Sequence, residues 1–167
     1  MTFSSRGSSS ASPATARVPR TDVPGSRILA IDYGRRRMGL AVSDEPHLTA
    51  RPLGALLHQN RRDALRRLRE IVRDNSVGKI LVGHPVHLNG ASSEMALETE
   101  RFAARIQKEL GLPVELVDER LTSWEAEQTL AARRGKAGSR QNVDAVAAAI
   151  LLREYLERAP APKKSGD

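Results

Sequence analysis

Cysteine is absent from this 167-residue chain. Disulfides and thiolate metal sites are therefore excluded, and a reducing cytoplasm is compatible with the sequence. Aromatic residues are scarce: two Phe, two Tyr and one Trp. A core must be built from Leu, Ile, Val and Ala. Reading single strands by base stacking has few platforms, Tyr33 and Trp124 at most, so recognition by shape and backbone is the better fit. No uninterrupted apolar run approaches the roughly 18 residues a membrane span needs, and no membrane partner is expected.

Apolar periodicity is missing from residues 1–26, which are rich in Ser, Ala and Pro, and from 159–167. Both ends read as disordered tails. The N-terminal stretch also lacks the apolar run of a secretory signal. Residues 27–158 remain as one folded body, large enough to bury somewhat over about 60% of its extended surface. That body holds 22 Lys and Arg against 18 Asp and Glu, and the whole chain carries a formal charge of +7. The balance favours a polyanionic partner.

Along the body, "SRILAIDYG" (26–34) reads as a buried strand and "RRRMGLAVSD" (35–44) as its antiparallel partner after a tight turn at Gly34. Residues 50–58 suit a third strand, with Pro52 and Gly54 favouring an edge or a bulge. Residues 60–76 have the spacing of an amphipathic helix capped by Asn60; its many arginines read as a solvated face. A buried strand (78–85) follows, then a helix (93–111) capped by Ser92 or Ser93 and ended by Gly111, and a strand (113–119). Thr122 and Glu125 form a capping box for a helix over 122–135. A basic loop (133–140) leads to an Ala-rich last helix (141–157). A meander followed by alternating helices and strands predicts an α/β fold.

Most acids fall on helix faces among arginines. Asp32 instead follows four apolar residues, Asp118 and Glu119 end an apolar strand, and Asp144 is embedded in "VDAVAAAILL". An isolated buried acid costs several kcal/mol unless paired or bound to a cation. Each has a bland account: Asp32 caps a turn, Asp118 or Glu119 pairs with Arg120, and Asp144 caps the last helix. All three together would require three coincidences. In parallel α/β sheets functional groups gather at the carboxyl ends of strands. Converging carboxylates there call for a hard divalent ion, Mg²⁺ or Mn²⁺. The residues alone do not choose between Asp118 and Glu119.

"LAIDYGRRRMGLAVSD", "VDERLTSWEAE" and "NVDAVAAAILL" resemble the signature segments of the YqgF/RuvX family, a group of nucleases named for pre-16S rRNA processing and for Holliday-junction resolution. The resemblance spans residues 27–157. It implies an RNase H-like fold, with a mixed five-stranded sheet flanked by helices. It also implies a catalytic, metal-binding set of Asp32, Glu119 and Asp144, favouring Glu119 over Asp118. One segment departs: where the family has a loop like "GLPLNMDG", this chain has "GHPVHLNG" (83–90). His84 and His87 form an HxxH there, but without a third ligand that is weak support for zinc.

Such a set suits hydrolysis of phosphodiesters with two divalent ions about 4 Å apart. Asp32 is the candidate to bridge both, with Glu119 and Asp144 completing either side. Arg35, Arg36, Arg37, Arg120, Arg133, Arg134, Lys136 and Arg140 are placed to hold phosphates, because guanidinium forks match phosphate oxygens without reading sequence. The expected partner is structured RNA or branched DNA, and we lean to processing of ribosomal RNA. A junction resolvase cuts two strands symmetrically and so calls for a homodimer; no clear dimer stripe is visible. Two other readings compete. A nucleic-acid-binding protein without catalysis would not need the carboxylates. The "IDYGRRRMGLAVSD" hairpin also looks like that of the actin and sugar-kinase fold, which needs a much longer chain.

Overall fold

A computed structural model describes residues 26–85, 93–119 and 140–158. Three strands come first: β1 (Arg27–Asp32), β2 (Arg37–Ser43) and β3 (Ala50–Leu57). They are followed by α1 (Arg61–Asp74), β4 (Val77–His84), α2 (Glu94–Leu110), β5 (Val114–Asp118) and α3 (Arg140–Arg158). The expected tails, the helix over 122–135 and most of the basic loop lie outside the described residues. No helix among the described residues is long and apolar enough to cross a membrane.

The five strands form one sheet in the order β3-β2-β1-β4-β5. β1 pairs antiparallel with β2, and β2 with β3. β4 runs parallel to β1 on one side and to β5 on the other. This is the mixed sheet of an RNase H-like α/β fold, as expected. β1 is central because its four apolar residues suit a strand covered on both faces, and Leu29, Ala30 and Ile31 have no exposure at all. Strand alternation sends Leu29 and Ile31 toward α1 and α2, where they join Met38, Leu68, Ile80, Val82 and Ile106. It sends Ile28 and Ala30 toward α3, where Ala41, Leu81, Ala148 and Leu152 complete a second core. Each large aliphatic side chain buried this way stabilises the fold by roughly 2 kcal/mol.

Local signals set the boundaries. Asn60 caps α1, its side chain accepting from the Asp63 amide at 2.9 Å. Ser93 caps α2 in the same way through Ala96, at 3.0 Å. Gly111 ends α2 in the left-handed region, at φ 66°. β3 lies at the sheet's edge, and its register against β2 shifts between Leu40 and Ala41, which face Gly54 and Pro52. Gly54 has φ 106°, a conformation that suits only glycine.

α3 is fixed at both ends. Near its C-terminus Lys79 Nζ donates to the Tyr155 hydroxyl at 2.6 Å, and that hydroxyl donates to Glu115 Oε2 at 2.9 Å. Lys79 also lies 2.8 Å from Glu115. Burial disfavours the Lys79 charge, but its bonds to Glu115 and Tyr155 outweigh that and raise its pKa. This clamp ties α3 to the starting ends of β4 and β5. At Asp144, near its N-terminal end, α3 is held at the opposite end of the sheet, where the strands β1, β4 and β5 finish.

Candidate functional site

Asp32 is the last residue of β1. It follows Ile28 and Ala30 at even spacing, so it faces α3. Its neighbours on both sides are glycines. Gly39 of β2 is its partner in register, and Gly83 of β4 follows Val82, the partner of Ile31. A Cβ on Gly39 would overlap the backbone carbonyl of Asp144, and a Cβ on Gly83 would run into the carboxylate of Glu119. The two glycines are the gaps through which α3 and Glu119 reach Asp32. The sequence reading passed over both. The available signal was a glycine inside a strand pattern, in "RMGLAV" and "ILVGHP", which marks close approach of another group.

The pleat of β5 separates the two adjacent acids. Glu115 bonds to Tyr155 of α3, and Val117 packs into the core beneath α3. Asp118, the register partner of His84, therefore points to the other face. Glu119 returns to the face of Asp32.

These carboxylates strongly influence one another. Burial pushes the Asp32 pKa up to about 7, helped by the charges of Glu119 and Asp144 and by a hydrogen bond with Glu119. Burial also raises Glu119; its bond with Asp32 and the proximity of His84 offset part of that rise, while Asp118 adds to it. The pair thus retains a proton that two ordinary carboxylates would have lost. Asp144 belongs to the same electrostatic cluster but its side chain meets Arg37, whose Nε lies 2.7 Å from Oδ2. The contact has ion-pair distance without hydrogen-bond alignment, so Oδ2 is buried and lacks a hydrogen-bond donor.

Among the described residues, no three His, Asp or Glu side chains stand close enough to hold one metal ion as they are. The donor chemistry nevertheless fits a hard divalent cation. Three carboxylates supply only oxygen, and two of them share a proton that a cation would displace.

The three consecutive arginines diverge. Arg35 forks onto Glu98 of α2, with Nη2 to Oε1 at 2.7 Å and Nε to both oxygens at 3.0 and 3.1 Å. Arg36 is exposed, and its carbonyl accepts from the His58 amide at 3.1 Å. Arg37 turns to Asp144. Asp44, at the end of the same hairpin, has a structural role: Oδ1 accepts from the amides of Leu48 and Thr49 at 2.7 and 3.1 Å. Arg120, Arg133, Arg134 and Lys136 lie outside the described residues. Arg140 opens α3, but its side chain does too. His84 closes β4 rather than lying in a loop, and pairs with Glu100 at 2.9 Å. His87 is outside the described residues.

The sequence model of the RuvX family, described as a Holliday junction resolvase, matches residues 26–158. The chain belongs to the RuvX family. A relative from Koribacter versatilis, named "Putative pre-16S rRNA nuclease", is 43% identical over 138 residues, covering 79% of this chain and 87% of the relative. A Geobacillus kaustophilus protein of the same name is 41% identical over 134 residues, covering 78% and 97%. The fold is also similar to that of the Fowlpox virus resolvase solved with Holliday junction DNA. There the TM-score is 0.52 at 11% identity, over 78% of this chain and 97% of that one. At that identity the likeness is one of fold alone. RuvX proteins are nucleases by family and by the names of these relatives, and the matched residues take in Asp32, Glu119 and Asp144.

Proposed function

We propose that this RuvX chain is a divalent-metal-dependent nuclease that hydrolyses phosphodiesters in structured RNA, and that its substrate is the 5′ region of pre-16S rRNA. The observation that carries the reading is the gathering of Asp32, Glu119 and Asp144 on one face at the carboxyl end of the central strand. Mg²⁺ or Mn²⁺ ions held there would supply Lewis-acid stabilisation of the scissile phosphate and an activated water. With an ion bound, Asp32 and Glu119 would give up their shared proton and serve as oxygen donors. Asp144 would be a third donor if Arg37 released it, which would leave Arg37 to meet a substrate phosphate. Arg36 is already exposed for that purpose. Arg35 serves first as a strut to α2. We keep Arg120, Arg133, Arg134, Lys136 and Arg140 as phosphate contacts of the approach to Asp144. An rRNA substrate would place the protein in the cytoplasm.

The lean toward RNA rests on the names of relatives above 40% identity. The description of the family model favours a second reading, resolution of branched DNA, which would call for a homodimer. Purified protein offered labelled pre-16S RNA and a DNA four-way junction side by side, with Mg²⁺ or Mn²⁺, separates the two. The RNA is expected to be cut, and cutting is expected to vanish in Asp32→Asn and Asp144→Asn while binding persists. Undiminished cleavage by Asp32→Asn would sink the proposed mechanism. Cleavage of the junction alone would select the resolvase, and binding without any cleavage would select a non-catalytic protein.

A further inference from the structure

The arginines of α1 are exposed, as expected of a solvated face, and some of them also border a concavity. Packed beside α2, α1 forms an open groove of about 620 Å³ whose lining includes Arg62, Arg66 and Arg69 of α1 and Arg105 of α2. A second, narrower pocket adjoins it, sharing Leu65 and Arg105, and adds Arg61 and Arg101. Its floor includes Tyr33 and Phe102, stacked with ring centroids 4.6 Å apart. Six arginines therefore line one continuous trough.

The acids of that trough are Asp63, Glu98 and Glu109, leaving an excess of three positive charges. Two of the three are already engaged: Asp63 with Arg66 and Arg67, and Glu98 with Arg35. Among the described residues, no hydrogen bond or ion pair holds Arg61, Arg62, Arg69, Arg101 or Arg105. Arg61 and Arg101 share the charge of Glu98 at longer range, and the remaining guanidinium groups, in a concave setting, focus a positive field. Arg62, Arg66 and Arg69 lie on one helix face over about 10 Å of rise, a span that covers more than one phosphate of a nucleic-acid backbone.

The trough's position matters as much as its charge. α1 and α2 both begin at the end of the sheet where β1 finishes, and Tyr33 follows Asp32 directly in the chain. The trough thus starts one residue from the candidate carboxylate site and runs down the opposite face of the sheet. We propose that the α1–α2 trough is a second nucleic-acid surface, which holds the phosphate backbone of structured RNA beyond the segment lying at the carboxylates. The choice of RNA as the polyanion rests on the proposed function; the existence of the surface does not.

The test is binding in EDTA, so that nothing is cut, of a labelled pre-16S RNA at several salt concentrations. The variant R62Q/R69Q/R105Q is compared with R51Q/R153Q/R158Q, which removes the same charge from exposed positions on β3 and α3. The trough variant is expected to bind about tenfold more weakly at 0.15 M salt, with the slope of log K against log salt reduced by about two. The control is expected to change less than twofold. R105Q alone, which keeps the proposal testable if the triple variant misfolds, should lose about threefold and about one unit of slope. Equal losses in both triple variants would reduce the effect to bulk charge and overturn the inference. So would unchanged RNA binding by the trough variant, whatever acidic protein the trough then proved to hold. RNA binding through the trough without metal-dependent cleavage would leave this inference standing and remove the proposed catalysis.

Discussion

At the residue scale, Asp32 makes the metal-free protein sensitive to pH in an uncommon direction. An unfolded Asp32 titrates near 3.8, whereas the folded one holds its proton to about 7. Between those values the unfolded chain releases a proton that the folded chain keeps, so stability falls as pH rises and levels off above about 7. Asp32→Asn removes that loss. In EDTA, its melting temperature relative to wild type is expected to be higher at pH 8 than at pH 5, by an amount reflecting a few kcal/mol. The flanking glycines predict a contrast. Gly39→Ala collides with helix backbone, which cannot turn aside, and should cost roughly 1–3 kcal/mol in urea unfolding together with activity. Gly83→Ala collides with the Glu119 side chain, which can swing away, so stability should be largely kept while the proposed cleavage falls. Asp32 and Asp144 stood out in the sequence because each interrupts an apolar pattern, and Asp118 and Glu119 because they end an apolar strand; only the family resemblance favoured Glu119. What stayed hidden depends on partners far along the chain: Gly39 lies under Asp144, Gly83 beside Glu119, and Arg37 turns to Asp144 rather than outward. The side of the sheet on which Glu119 falls required the pleat of β5.

At the element scale, periodicity and caps were enough to place β1 to β5, α1 and α2 within a residue or two, because those signals are local. The role proposed for α1 is not local. Its arginines look like ordinary solvation until α2 supplies Arg101 and Arg105 to the other wall. α3 spans the sheet from end to end, anchored by Tyr155 near its C-terminus and meeting Gly39 at Asp144. Tyr155→Phe removes the hydroxyl that links Lys79 and Glu115. It is expected to lower unfolding free energy by about 1 kcal/mol, measured by urea titration, with little change in RNA affinity. Asn60→Ala should cost a similar amount by leaving the Asp63 amide without its cap.

At the scale of the whole molecule, charge is distributed over two faces of one sheet, with the carboxylates on one and the arginine trough on the other. Binding of structured RNA should weaken steeply with salt, its log–log slope exceeding two in magnitude for the intact chain, as read by fluorescence anisotropy between 0.05 and about 0.3 M salt. The edge of the sheet has a further consequence. Among the described residues no strand pairs with the outer side of β3, yet Pro52 has no amide to donate and the register opposite Gly54 is irregular. Another strand, from a second copy or from a misfolded neighbour, finds a poor template there. Crowding this protein should therefore not string copies together along β3, and any symmetric pairing would have to be built from helical surfaces or from the opposite edge.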